Sequence, residues 1–136
     1  EKIITDSQIH YGTRVCTNRQ GNVIGCFSYN LNTIDVFNYN NNTLTKVVTL
    51  NISGDLGGYP ASGGALSMDD SGNTITYARH DIVTIYKYIN STWVTYDSIV
   101  IEKHLCAEIS SDSKLLVVGE TSGSKENIRL YELNQP

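Results

Sequence analysis

The feature that most constrains the fold of this chain is a six-residue motif that occurs three times. Each copy reads aliphatic, polar, aliphatic, aromatic, polar, and then Tyr or Leu. The copies are residues 34–39, 83–88 and 128–133, so their starts lie about 45 to 50 residues apart. Alternation with a period of two is typical of a β-strand. The spacing therefore predicts one supersecondary unit that is built three times.

Further strands are predicted around each copy of the motif. A second strand precedes each copy and is entered through a tight polar turn, and a short first strand precedes that turn. In the first two repeats, a fourth strand follows the motif. The predicted strands are residues 14–17, 23–28, 34–39 and 44–50, then 65–68, 74–79, 83–88 and 93–99, and finally 106–110, 115–120 and 128–133. Four short strands per repeat predict an all-β fold of β-propeller blades, because stacked blades cover both faces of each sheet.

The 136 residues are predicted to form one propeller segment with repeats over about 11–52, 60–101 and 104–136. The third repeat reaches the last residue without a fourth strand. Residues 2–5 resemble the fourth strand of the first repeat, so we expect residues 1–9 to supply the missing strand within one ring or between chains. A closed propeller has about 4–8 blades, so three blades are too few to close a ring. The expected partners are therefore other copies of the chain or adjoining blades. A small β-sandwich with coincidental repetition is the alternative.

Residues 64–75, GALSMDDSGNTI, resemble the opening of an FG-GAP-type repeat, the blade of integrin-α-like propellers. Residues 85–88 and 90–93 are similar to the third strand, the turn and the Trp-bearing fourth strand of that repeat. WD-type propeller repeats are a close alternative. Integrin-like blades often carry a calcium loop with alternating aspartates, which this sequence lacks. Asp69 and Asp70 are the nearest candidates, and a hairpin turn explains them better. We therefore predict no metal site.

Composition excludes several classes of function. The net charge is −4 and neither sign is clustered, so the basic patch needed to bind nucleic acid is missing. No apolar run reaches the ~20 residues of a membrane-spanning helix. The sequence has no nucleophile elbow, no phosphate-binding glycine loop and no cysteine or histidine spacing of a metal site. We therefore predict that the chain is not an enzyme and that it binds no cofactor.

Three N-x-S/T sequons begin at Asn41, Asn51 and Asn90. Such sequons are glycosylated only in secreted or cell-surface proteins, where they mark exposed loops. Asn41 and Asn90 occupy the same predicted turn, between the third and fourth strands, in two repeats. The sequence therefore predicts an extracellular glycoprotein with N-linked glycans as its covalent modification.

The cysteine count fits one disulfide and one remaining thiol in a secreted chain. Cys16 and Cys26 lie on the first and second strands of one hairpin, five residues on either side of Gly21. Directly opposite residues of an antiparallel pair come close enough for a disulfide. We therefore predict a Cys16–Cys26 bridge, which leaves Cys106 free or bonded between chains.

The glycine-rich segment 52–64 is the longest break in the strand pattern and a candidate ligand loop. Tyr59 could stack against a sugar that Asp55 hydrogen-bonds, although a flexible connector would also need these glycines. Two hypotheses for the function follow. The first is a secreted module for self-assembly or adhesion, such as a repeating subunit of an extracellular filament. The alternative is a carbohydrate-binding, lectin-like propeller with glycans as partners.

Overall fold

The computed structural model describes residues 11–28, 31–52, 65–79, 81–102 and 104–134. Within these ranges the chain forms eleven β-strands and no helix. The strands are β1 (Tyr11–Thr17), β2 (Val23–Ser28), β3 (Thr33–Asn40), β4 (Thr43–Asn51), β5 (Ala65–Met68), β6 (Thr74–Arg79), β7 (Ile82–Ile89), β8 (Thr92–Val100), β9 (His104–Ile109), β10 (Leu115–Ser122) and β11 (Lys125–Glu132).

The strands form three antiparallel sheets that follow the order of the sequence. Blade 1 is β1-β2-β3-β4, blade 2 is β5-β6-β7-β8, and blade 3 is the three-stranded sheet β9-β10-β11. This arrangement confirms the predicted all-β fold of propeller blades, and each predicted strand from residue 14 to residue 133 is present. The strand predicted within residues 1–9 lies outside the described residues.

The hairpins that join the third and fourth strands of blades 1 and 2 have the same backbone geometry. Their turn residues are Asn41 and Asn42 in blade 1, with φ of 49° and 59°, and Asn90 and Ser91 in blade 2, with φ of 50° and 65°. A two-residue turn with positive φ at both positions matches the twist of the strands, and asparagine adopts this conformation readily. The sequence therefore determines these tight turns locally.

The turns between the first and second strands are held by a polar side chain at equivalent positions in the three blades. In blade 1, Asn18 Oδ1 accepts hydrogen bonds from the main-chain N–H groups of Asn22 and Val23, each at 3.0 Å. Asp69 and Ser110 accept main-chain bonds in the same way in blades 2 and 3. The interpretation of Asp69 as a turn residue is thereby confirmed.

Two apolar clusters hold the blades face to face. The cluster between blades 1 and 2 contains large side chains: Phe27, Ile34, Val36, Leu50, Ile52, Ile75, Tyr77 and Tyr86. The cluster between blades 2 and 3 contains smaller ones: Ala78, Val83, Ile101, Ala107, Leu116 and Val118. Because side chains alternate along each strand, blade 2 contributes one face to each junction.

Candidate functional site

A cleft of about 310 Å³ opens between blades 2 and 3, at the end where the first and second strands turn. We call it the blade 2–3 cleft. Its volume is at the lower end of the ~300–1,000 Å³ range of small-molecule sites. The residues that line it are Asp69, Ser71, Asn73, Thr74, Lys87, Tyr88, Ile89, Asp112 and Ser113. Most of these side chains carry hydrogen-bonding groups, so the cleft suits a polar ligand.

Asp69 is the buried carboxylate of the blade 2–3 cleft, with only 4% of its surface exposed. It accepts a hydrogen bond of 2.6 Å from the Ser71 hydroxyl of its own turn. It also accepts one of 2.7 Å from the hydroxyl of Ser113, which belongs to blade 3. The Asp69 carboxylate therefore connects the two blades as well as closing its own turn.

Lys87 projects from β7 into the same junction and is also 4% exposed. Burial lowers the pKa of its ammonium group, and the nearby charge of Asp69 opposes that shift. The Nζ atom lies 4.2 Å from the centre of the Tyr96 ring, which is a cation–π contact. Lys87 therefore lines the cleft with an ammonium group that lies against the Tyr96 ring.

A second cleft of about 190 Å³ lies between blades 1 and 2, and we call it the blade 1–2 cleft. It is lined by Val23, Val36, Asn38, Val47, Gly72, Asn73, Tyr88 and Trp93. Tyr88 and Asn73 line both clefts. Tyr88 is 42% exposed and stands opposite Trp93 in the sheet, with ring centres 5.6 Å apart and planes at 50°. We call Tyr88 and Trp93 the aromatic pair.

The outer face of blade 3 differs from the corresponding faces of the other two blades. Ile128 and Leu130 on β11 are 79% and 65% exposed. The residues at the same positions of β3 and β7, all of which are buried, are Ile34, Val36, Val83 and Ile85. The apolar positions of the repeated motif thus bury against a neighbouring blade in blades 1 and 2 and remain open in blade 3.

The sequon asparagines are exposed where the structure describes them. Asn41 and Asn90 lie in the turns between third and fourth strands, as predicted, and Asn51 lies at the end of β4. Glycosylation itself stays a prediction. Asp55 and Tyr59, the predicted ligand loop, lie outside the described residues.

The predicted disulfide between Cys16 and Cys26 is absent, and the cysteines are free thiols. Cys16 is paired with Gly25, and Cys26 is paired with Val15. The hairpin register differs by one residue from the predicted one, so the two cysteines occupy opposite faces of the sheet. Burial raises the pKa of the Cys16 thiol to about 12.

Two further properties of the described residues concern metal binding and membrane-spanning helices. No group of three or more His, Cys, Asp or Glu side chains there could hold a metal ion. No helix in that part of the chain is long and apolar enough to cross a membrane.

Solved structures with the same fold are distant in sequence. A proposed 6-phosphogluconolactonase from Bacteroides uniformis superimposes with a TM-score of 0.72 at 14% identity, covering 99% of this chain and 39% of its own. The β-propeller domain of Cps50 (Swd1) from Myceliophteria thermophila gives 0.60 at 14% identity, covering 96% and 40%. Hydrazine synthase from Kuenenia stuttgartiensis gives 0.66 at 10% identity, covering 94% and 34%. The chain therefore has a β-propeller-like fold, and it spans about two-fifths or less of the structures that it matches.

The comparisons correct one prediction. The prediction that the chain is not an enzyme is contradicted, because the proposed 6-phosphogluconolactonases from Bacteroides uniformis and Bacteroides fragilis are named for an enzymatic activity. Their identities of 14% and 15% show the fold alone. No protein-family model and no curated protein sequence matches the chain.

The blade 2–3 cleft was not predicted from the sequence. Lys87 occupies the polar fifth position of the repeated motif, where the other repeats have Asn38 and Glu132. Such a position is normally solvated on an isolated strand. The only sign in the sequence is that the second repeat has a lysine where the first has an asparagine. The burial of that lysine depends on the neighbouring turns that carry Asp69 and Ser113.

Proposed function

We propose that the chain is an assembly module whose third blade packs against a blade of a second copy. One observation carries the proposal, which is the exposure of Ile128 and Leu130 at positions that are buried between the other blades. Burying one such side chain contributes roughly 1.5–3 kcal/mol. A contact that joins different faces of two copies closes into a ring or propagates as a filament.

The proposed setting is extracellular. The exposed sequons at Asn41, Asn51 and Asn90 support a secreted or cell-surface glycoprotein that acts in self-assembly or adhesion, such as a repeating subunit of a filament. A chain with only 18% charged residues would gain solubility from such glycans. We further propose that the blades are of the FG-GAP type, with the WD type as the alternative.

Sedimentation velocity over a range of concentrations tests the assembly. We expect the 136-residue chain to associate, and the double variant Ile128→Lys/Leu130→Lys to sediment as a monomer, because two charges cannot be buried in an apolar contact. Val100→Lys is the matched control, since Val100 is an equally exposed aliphatic residue on β8. A wild-type chain that stays monomeric, or a control that dissociates like the double variant, would contradict the proposal.

The extracellular setting has a separate test. Protein secreted from a eukaryotic host should lose mass on treatment with a glycosidase specific for N-linked glycans. The variant Asn41→Gln/Asn90→Gln should lose correspondingly less. An unchanged mass of the wild-type protein would contradict the glycoprotein part of the proposal and leave the assembly part standing.

A further inference from the structure

We propose that the aromatic pair and the two clefts beside it form a binding site for a neutral oligosaccharide. The sugar ring would stack on Tyr88, and its hydroxyl groups would enter the blade 2–3 cleft. This site is separate from the open face of blade 3 that carries the proposed assembly.

The aromatic pair provides the apolar surface that a sugar ring needs. A pyranose has a face of C–H groups that packs against an aromatic ring, while its hydroxyl groups point outward from the ring edge. Tyr88 is exposed, and the Trp93 ring packs against one side of it, with ring centres 5.6 Å apart. Trp93 in turn packs on the apolar cluster between blades 1 and 2. The stacking surface is therefore presented by a rigid part of the fold.

The blade 2–3 cleft provides the polar contacts. Lys87 lines the cleft, and its ammonium group lies over the Tyr96 ring. The turn of blade 3 contributes the exposed carboxylate of Asp112. The Asp69 carboxylate also lines the cleft, but both of its oxygens already accept hydrogen bonds within the protein. A hydroxyl group can accept from an ammonium and donate to a carboxylate at the same time. Vicinal hydroxyl groups of a sugar match this arrangement, because one can accept from the Lys87 ammonium while another donates to the Asp112 carboxylate.

The charges of the cleft favour a neutral sugar over an anionic one. The charged residues that line the cleft are the two carboxylates of Asp69 and Asp112 and the single ammonium of Lys87. A phosphate or a uronic acid would gain the attraction of Lys87 but would meet the repulsion of both carboxylates at short range. A neutral hydroxyl group meets no such repulsion. A neutral sugar therefore fits the residues that line the blade 2–3 cleft better than an anionic sugar does.

Two clefts on either side of one aromatic residue favour an oligosaccharide over a single sugar. Tyr88 and Asn73 line both the 310 Å³ cleft and the 190 Å³ cleft. Asn38 and Asn73 offer amide groups on the side of the smaller cleft. A chain that stacks one unit on Tyr88 can place its neighbouring units in the two clefts.

The test is isothermal titration of the 136-residue chain with cellohexaose, maltohexaose and chitohexaose, with hexagalacturonate as the anionic probe. The protein is produced without glycosylation, because Asn90 lies two residues from Tyr88. We expect at least one neutral hexasaccharide to bind, and Tyr88→Ala and Lys87→Met each to weaken it by about tenfold or more. Tyr39→Ala is the matched control, since Tyr39 occupies the same position of the motif in blade 1, and it should stay within about twofold of wild type.

Thermal unfolding of each variant separates loss of binding from loss of fold. A variant that unfolds at the wild-type temperature and binds as wild type overturns the role of that residue. Binding to none of the neutral probes, or a preference for hexagalacturonate, overturns the proposal. Equal losses in Tyr88→Ala and Tyr39→Ala would place the sugar elsewhere and also overturn it.

Discussion

The two junctions around blade 2 are built from different chemistry. Between blades 1 and 2, large apolar and aromatic side chains fill the core, and the polar contacts, such as the hydrogen bond from Arg79 to Asn32, lie beside it. The rings of Phe27 and Tyr77 stack with centres 5.0 Å apart, and the Tyr86 hydroxyl donates to the Asn51 carbonyl at 3.3 Å. Between blades 2 and 3, the apolar side chains are smaller, and several contacts are polar. One fold therefore joins its blades in two ways.

The difference shows what each kind of junction contributes. Burial of large apolar side chains is non-directional and scales with the area removed from water. The bond from Ser113 to Asp69, and the bond that Ser67 Oγ accepts from Ile109 N–H at 3.0 Å, have fixed geometry. We infer that the first junction supplies more stability and that the second fixes how blade 3 is positioned. The second junction also leaves room for a polar cleft.

The largest expected effect is at the apolar junction. Phe27→Ala should lower the free energy of unfolding by about 3–5 kcal/mol, because it removes a buried ring and leaves a cavity. Phe27→Leu is the control and should cost clearly less, since it retains most of the apolar volume. Chemical denaturation measures both. An alanine variant as stable as the leucine variant would show that the ring contributes little to this junction.

The polar junction should give a somewhat smaller effect. Asp69→Ala should lower the free energy of unfolding by about 2–4 kcal/mol, because buried donors lose their acceptor. Asn18→Ala breaks the equivalent turn of blade 1 without a bond to another blade, and should cost about 1–2 kcal/mol.

A double-mutant cycle separates the bond between the blades from the turn itself. Asp69→Ala and Ser113→Ala together should cost less than the sum of their single effects, by about 0.5–3 kcal/mol. Strict additivity would mean that the 2.7 Å bond does not couple the two blades.

Two equivalent glycines differ in how closely blade 1 and blade 2 approach each other at their positions. Gly21 and Gly72 have φ of +71° and +77°, so alanine is strained at both positions. A Cβ at Gly72 would lie 2.9 Å from Val23 Cγ2, whereas a Cβ at Gly21 would meet nothing within 4 Å. Gly21→Ala should therefore cost about 1 kcal/mol, and Gly72→Ala about 1–2 kcal/mol more. Equal losses in thermal unfolding would show that blade 1 yields to the added methyl group.

The smallest expected effect is a change in the free energy of unfolding with pH, and its sign should differ between the two junctions. The Cys16 thiol, beside Met68 and Ile75 on the blade 2 side of blade 1, has a pKa of about 12 instead of 9.0. The folded chain holds this proton while the unfolded chain releases it, so stability falls as pH rises from 9 to 12. Between pH 9 and 10 the loss should be about 1 kcal/mol, and Cys16→Ser should abolish it.

Lys87 should act in the other direction. Because burial lowers the pKa of its ammonium group, the folded chain releases this proton before the unfolded chain does. Its contribution to stability therefore rises with pH, from its lowered pKa up to 10.5. Urea denaturation of Lys87→Met across this range should show a steeper fall with pH than the wild type. A shallower fall would reverse the sign and contradict the assignment.

The sequence predicted most of the fold and little of the site. The repeated motif and the turn residues act over a few positions, so strands such as β2 and β6 were predicted with their observed bounds. The turn geometry at Asn41 and Asn90 is likewise local. The disulfide prediction was wrong because pairing depends on a hairpin register that one residue can change. The blade 2–3 cleft was missed because Asp69, Lys87 and Ser113 meet only after two blades stack.

The stacking of three blades in series has a consequence for how the molecule opens. β5 contacts β1 on one side and β9 on the other, so blade 2 has two neighbours. In a linear array, an end unit can detach while the remaining units stay folded. In the dissociated variant Ile128→Lys/Leu130→Lys, amide hydrogens of β6 and β7 should therefore exchange with solvent more slowly than those of β10 and β11. Mass-resolved hydrogen exchange would show this as a gradient of protection along the chain, with a maximum at its centre.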